Sequence, residues 1–469
     1  MIDLLVRNGI IVTVNKTREI IWNGAMAVND GKILEIGECD AVCGRYKEAG
    51  KVIDATGKVI YPGFVNTHTH LFQSLLKGLG DDMILSQWLR TMTFPAAEHL
   101  TEEDCYTAAV IGCIEGLHSG ITTNLDYMYP HGRPNYSDGV IKAFKELKLR
   151  GIFGRGCMDC GTEFGVPRGI MQSKSEIEKD ITRLFKTYHN SENGRLKIWA
   201  APAAAWSNSK ELLVSLYNIA KENNSGFTIH TSETPFDREA AVKLHGCADA
   251  ELLQEFGIAG PNVLMVHCVY LNERDLRMAQ YYDMKVSHNT VSNMYLSSGV
   301  APVPQMLQAG ITVGLGVDGA ASNNSQDMLE LMKCTALLHK AHTTDPTVIT
   351  AEKVLEMATI NGAKAVGLEN EIGSLEKGKK ADFIIFNPLL SSKSVPMHNP
   401  VSTLVYSSSQ QNIETVAVDG NILLDDGVIT AVPNEKAVLI EGQRCAERLA
   451  VRGNITNRMN GHRWRSSAF

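Results

Sequence analysis

Gly63-Phe64-Val65-Asn66-Thr67-His68-Thr69-His70 is the stretch from which the rest of the chain is read. An apolar strand start runs into two histidines at positions i and i+2. Alternate residues of a strand point to one face, so both imidazoles leave on the same side as a chelating pair. Imidazole is the usual ligand of a zinc-class ion, and two rings at a strand end provide part of a site that needs further ligands from farther along the chain. Taken alone, the pair fits two surface histidines beside a turn equally well. Its distant partners decide between them.

Outward from this stretch, residues 63–370 alternate apolar strand-like runs with amphipathic helices, the pattern of parallel βα units. The strand candidates are Phe64 to His70, Ile121 to Leu125, Gly151 to Arg155, Leu196 to Ala201, Gly226 to Thr231, Val263 to Cys268, Lys285 to Asn289 and Ile311 to Asp318. Eight such units predict an α/β fold, a (β/α)8 TIM barrel. Before the second strand, Thr101-Glu-Glu-Asp104 forms a capping box, Tyr106, Val110, Ile114 and Leu117 make one apolar face, and Gly120 stops the helix.

Chemistry in such a barrel sits at the C-terminal strand ends, so residues able to bind a metal should fall there. His68 and His70 end the first strand, His230 the fifth, His267 the sixth and Asp318 the eighth. Any one of them alone fits a buried structural histidine or a capping aspartate. Five at equivalent strand ends point to a site.

Residues 1–60 read as short strands, with Asn29-Asp30-Gly31 supplying the positive φ that a tight hairpin demands. Ala381 to Phe386, Glu414 to Val418 and Ile422 to Leu424 repeat that style. A chain of 469 residues exceeds what one core sustains. The expected division is a composite β-sandwich domain from residues 1–60 plus 372–469, and a barrel over 61–371.

The composition, 44% hydrophobic and 21% charged with a formal net charge of −7, is that of an ordinary soluble protein and argues against nucleic acid as the main partner. No run approaches a membrane helix, and the N-terminus lacks a signal peptide's basic and apolar regions. Ten scattered cysteines fit a reducing cytoplasm; Cys157-Met-Asp-Cys160 lacks the second pair a zinc site would need. Cytoplasmic location, no membrane and no nucleic acid are therefore expected. The stretch from Arg444 to Phe469, with six arginines, reads as a solvated tail or a strap over a neighbouring subunit.

Pro62 to His70, His230-Thr-Ser-Glu233, Val266-His267-Cys268, Ser287 to Asn293, Gly316 to Asn324 and Gly373 to Asp382 together resemble the amidohydrolase superfamily. The similarity is to the branch of adenosine-derivative, guanine and 8-oxoguanine deaminases and triazine hydrolases. It implies the barrel, the composite β-sandwich and one divalent ion, with His68, His70, His230 and Asp318 as ligands. Zinc is expected, with iron(II) the alternative, since nitrogen and oxygen ligands tolerate either. The two-metal branches carry a carboxylated lysine at the fourth strand end; Lys197 stands at the other end, which implies a single ion. Such an ion lowers the pKa of its water to about 7.

By the same resemblance Glu233 carries a proton to a ring nitrogen, Asp318 takes the water's proton and passes one to the leaving amine, and His267 hydrogen-bonds hydroxide or substrate. Trp88 resembles a lid tryptophan that stacks on a flat ring, or belongs to the core. Gln73, Arg155, His288 and Asn293 are further substrate candidates, each with a structural alternative: a solvated amide for Gln73, an ion pair for Arg155, a polar loop for the last two. The family's usual proline is Thr290 here, which leaves that loop's path open.

Nucleoside deaminases of this branch carry a glutamate and a histidine suited to sugar contacts, where this chain reads Phe94-Pro-Ala-Ala97 and Ala201-Pro-Ala-Ala-Ala205-Trp206. A hydroxyl left unpaired against alanine costs binding. The expected activity is hydrolytic deamination of an amino-substituted purine base, pterin, pyrimidine or triazine, with ammonia released. The alternatives are hydrolytic removal of chloride or an alkylamine from a triazine-like ring, hydrolysis of a cyclic imidazolone, an adenosine-derivative deaminase, and a non-catalytic metal- or ligand-binding barrel. A homo-oligomer, dimer or tetramer, is the expected state.

Overall fold

The structure, a computed structural model, describes residues 1–459. Eight parallel strands follow one another in chain order: β1 (Phe64–Thr69), β2 (Ile121–Met128), β3 (Arg150–Cys157), β4 (Leu196–Pro202), β5 (Phe227–Thr231), β6 (Val263–His267), β7 (Lys285–His288) and β8 (Val313–Leu315). Every residue of β1, β2 and β3 is buried, as happens when helices cover one face of a parallel sheet and side chains fill the barrel on the other.

The last strand meets the first through backbone and side chain. Asp318 N–H donates to the His68 carbonyl at 2.9 Å, and Val317 N–H to Asn66 Oδ1 at 3.0 Å. The barrel seam therefore brings two candidate ligands together. β8 is shorter than its apolar run, Ile311 to Asp318, suggests. The strand stops at Leu315, and Asp318, the last residue of the run, takes φ +63°, outside strand geometry.

The two β-rich ends meet in one mixed nine-stranded sheet. Its junction is the antiparallel pairing of Val59–Pro62 with Phe383–Phe386, Val59 opposite Phe386 and Pro62 opposite Phe383. The Asn29-Asp30-Gly31 turn joins Ile20–Asn29 to Lys32–Glu38, with φ +50° at Asp30 and +71° at Gly31, the two positive values a type I′ hairpin requires.

Helix α1 (Glu102–His118) starts at the expected capping box, Asp104 N–H donating to Thr101 Oγ1 at 3.1 Å and Thr101 N–H to Asp104 Oδ2 at 2.8 Å. It is buried on more than the one expected face, because α2 (Glu435–Arg452) lies across it. Cys445 Sγ donates to Asp104 Oδ1 at 3.0 Å, and Arg452 pairs with the same carboxylate. Of the arginine-rich stretch, Arg444 to Arg452 thus belong to α2, and residues 460–469 lie outside the described residues. The ten cysteines are free thiols. Among the described residues no helix is long and apolar enough to cross a membrane.

Candidate active site

At the C-terminal mouth of the barrel three strand ends deliver four histidines to one point. His68 lies in β1, His70 one residue past it, His230 in β5 and His267 at the end of β6. Pairing of β5 with β6 sets Thr231 opposite His267, so the rings of His230 and His267 stack with centroids 5.4 Å apart. Asp318 Oδ1 is 3.3 Å from His68 Nε2 and 3.5 Å from His70 Nε2. His68, His70 and Asp318 form one set whose ligand atoms lie within 4.8 Å of one another; His68, His230 and His267 form a second.

Hydrogen bonding outside the cluster fixes the tautomers. His70 Nδ1 is 2.5 Å from the Tyr127 carbonyl and His230 Nδ1 is 2.5 Å from the Ala203 carbonyl, so each must donate there and present a bare Nε2 inward. Those two Nε2 atoms are 3.2 Å apart. Neither ring nitrogen of buried His68 has a hydrogen-bond partner. Converging lone pairs with no proton to share, beside a carboxylate, fit a cation and little else.

Burial holds His68 and His70 down to about 3, only partly offset by Asp318, and drives His230 well below the usual range. All three are neutral, the form that binds metal. Burial alone would raise Asp318, but the close approach of the His68 ring at 3.3 Å and the other imidazoles around it outweigh burial and hold the carboxylate well below its usual range.

The acid and its neighbours stand beside this cluster. Glu233, in the turn after β5, accepts from Ser298 Oγ at 3.0 Å and places Oε2 3.5 Å from His267 Nε2. Burial pushes its carboxyl up to about 7, against the opposing pull of His267. For His267, burial would lower the pKa, and the carboxylates of Glu233 and Asp318 raise it instead. Asn293 Oδ1 lies 2.9 Å from His267 Nδ1 and fixes that ring from behind. Ser232, His267 and Asp318 all take positive φ, backbone strain of the kind that gathers where side chains must be aimed.

A narrow cleft opens over these groups. His70, His230, Glu233, His267 and Asp318 form its floor, and Gln73 and Trp88 its wall. Arg155, His288 and Asn293 do not line it. Arg155, buried on β3, pairs with Asp180 at 3.0 Å and donates to Gln172 Oε1 at 2.8 Å. His288 faces His339, Nε2 to Nε2 at 3.1 Å, in the core. Tyr129, Trp206 and Asp237 line the cleft although nothing in the sequence singled them out as contacts. Tyr129 follows β2 with the alternation of Tyr127, a signal that could have found it. Trp206 donates its indole N–H to Asp237 Oδ1 at 2.8 Å, a contact between a 3-10 turn and the first turn of the helix Pro235–His245 that no local pattern encodes.

Residues 59–423 match the model of the amidohydrolase family. The chain is 36% identical over 455 residues to a 5'-deoxyadenosine deaminase of Methanosarcina acetivorans, covering 97% of this chain and 100% of that one. It is 36% identical over 446 residues to a 5-methylthioadenosine/S-adenosylhomocysteine deaminase of Desulforudis audaxviator, covering 95% and 99%. A zinc-bound crystal structure of an adenosine deaminase from Xanthomonas campestris superposes with a TM-score of 0.89 at 24% identity, over 96% of this chain and 99% of that one, a likeness of fold.

Proposed function

The chain belongs to the amidohydrolase family, and from that membership we propose a hydrolytic deaminase that releases ammonia from an amino-substituted, purine-type heteroaromatic ring. It is an enzyme acting on the C–N bond between a ring carbon and its amino group, as its relatives' names support. The observation that carries the site is the 3.2 Å approach of His70 Nε2 and His230 Nε2.

A divalent cation held by His68, His70, His230 and Asp318 would supply Lewis acidity and lower the pKa of a water. Zinc suits this nitrogen-rich, single-carboxylate set. Asp318, ionised and 3.9 Å from His267 Nε2 through Oδ2, accepts the proton of the attacking water and returns one to the leaving amine. Glu233 Oε2 carries a proton for the ring nitrogen beside the carbon under attack, a task suited to an acid with a pKa near neutrality. His267, held by Asn293, orients water or substrate.

Trp88 and Trp206 offer flat walls, and Ala203 and Ala204 have no group for a sugar hydroxyl. Both oxygens of Asp237 are engaged, by Trp206 and by Thr234. A free base fits this lining without an unpaired hydroxyl. An adenosine derivative is the second reading, favoured by relatives named for that activity.

Ammonia release from guanine, adenine, 5'-deoxyadenosine and 5'-methylthioadenosine, with metal content measured alongside, tests both. Faster turnover of a base supports the first reading and faster turnover of a nucleoside the second. No release from any of the four would overturn the deaminase assignment.

A further inference from the structure

We propose that Asp81, Tyr295 and Asn324 latch a movable wall of the pocket and so act as positioning residues for the substrate. The inference takes from the proposed function only that the substrate binds in this cleft.

Glu233 and Asp318 are only 5% and 4% exposed, so a bicyclic ring reaching them needs a wall that yields. Residues 77–93 are the part of the wall built to do so. They contribute Leu85, Trp88 and Leu89 to the lining and belong to neither sheet. Near the start of the segment Gly78 takes φ +72°, which suits glycine, and the segment ends where the helix widens to a π turn over Leu89–Thr93, a feature common at functional hinges.

Two clasps hold the segment to the loops after β7 and β8. Trp88 Nε1–H donates to the Ala321 carbonyl at 2.9 Å. Gly80 packs tightly against the indole edge, since an added Cβ would stand 2.4 Å from Trp88 Nε1. At the outer edge Tyr295 O–H donates to Asp81 Oδ1. Asn324 Nδ2–H donates to the Tyr295 oxygen at 3.1 Å and to Asp81 Oδ1 at 3.3 Å, and Gly78 N–H donates back to Asn324 Oδ1 at 2.8 Å. Burial and the Asp81 carboxylate hold the Tyr295 phenol far above its usual pKa, so it stays a donor. Tyr295 and Asn324 stand next to or near Leu296 and Ser322, which line the cleft. Half-exposed bonds of this kind hold a segment and release it cheaply.

Hydrogen exchange of the purified protein without substrate tests the latch directly, with Asp81→Ala, Tyr295→Phe and Asp81→Asn as variants. In the first two, exchange over residues 77–93 should quicken by about fivefold or more, with the rest of the barrel unchanged. KM, measured with whichever of guanine, adenine or 5'-deoxyadenosine turns over fastest, should rise about three- to tenfold while kcat stays within twofold. Asp81→Asn keeps the acceptor oxygen and should restore both. Unchanged exchange in Asp81→Ala and Tyr295→Phe overturns the latch, as does a fall in kcat at constant KM. Asp81 is exposed, so its variants stay informative should Tyr295→Phe fold poorly. If the wild type deaminates none of the three compounds, the functional assignment fails while the exchange result still decides the latch.

Discussion

His70 and His230 present bare Nε2 atoms to each other at 3.2 Å, each ring turned by a backbone carbonyl behind it. Two lone pairs at that distance repel unless a cation lies between them. The protein as purified should therefore hold about one divalent ion per chain. Because the site exists only in the folded state, chelation should lower Tm as well as abolish ammonia release. His230→Ala should lose both metal and activity. Elemental analysis and calorimetry decide; metal-free protein with full activity and an unchanged Tm would sink the site.

Glu233, raised by burial to about 7, is protonated below that pH and loses its proton above it. As a proton donor it predicts kcat/KM falling as pH rises past about 7. Glu233→Gln should lower kcat by about 10²- to 10⁴-fold and erase that limb. Ser298→Ala removes the hydroxyl that favours the charged form, so the limb should move to higher pH. A profile of kcat/KM against pH in metal-loaded enzyme tests all three, and a limb that persists in Glu233→Gln rules the residue out as its source.

Asp126, on β2, accepts from Leu71 N–H at 2.8 Å through Oδ1, while Oδ2 is buried without a partner. Burial raises its carboxyl to about 7 from an ordinary 3.8. The folded state thus keeps a proton that the unfolded chain gives up. Stability from this group is full below about pH 4 and is lost as pH rises toward 7. Asp126→Asn, neutral throughout, should flatten that part of the stability curve and be the more stable form at pH 8 relative to wild type. Denaturant titrations at pH 5 and pH 8 measure it; equal slopes in both proteins contradict it.

The barrel, and the convergence of its strand-end histidines and Asp318, were legible because both are written locally. A strand shows as an apolar run, and a side chain delivered to the barrel mouth needs only the right residue near the run's C-terminal end, as with His230 and His267. What strand position does not encode is which way a side chain leaves the sheet. Arg155 stands near the end of β3 like a contact residue, yet its guanidinium meets Asp180 on the covering helix Lys174–Tyr188. His288 ends β7 and points into the core toward His339. Trp206 and Asp237 are 31 residues apart and meet only through the fold, and the extra buried face of α1 exists because a helix more than 300 residues later covers it.

The terminal sheet is fastened to the barrel by one buried cation. Arg150, at the start of β3, donates Nε–H to Asp382 Oδ2 at 2.8 Å and Nη2–H to Asp382 Oδ1 at 2.9 Å, and Nη2 also reaches Asp419. The arginine is 1% exposed, so removing it leaves two carboxylates facing each other out of water. Arg150→Ala should cost about 3–5 kcal/mol. Arg150→Lys should recover little, because an ammonium cannot make the paired, planar contact. The triple variant Arg150→Met, Asp382→Asn, Asp419→Asn removes the arginine and both carboxylates, leaving only the longer-range Arg195 and Lys380 at the Asp419 edge, and should regain stability over Arg150→Ala. Urea unfolding of the four proteins tests the ranking, and Arg150→Lys matching wild type would show that charge alone, without the bidentate geometry, holds the two sheets together.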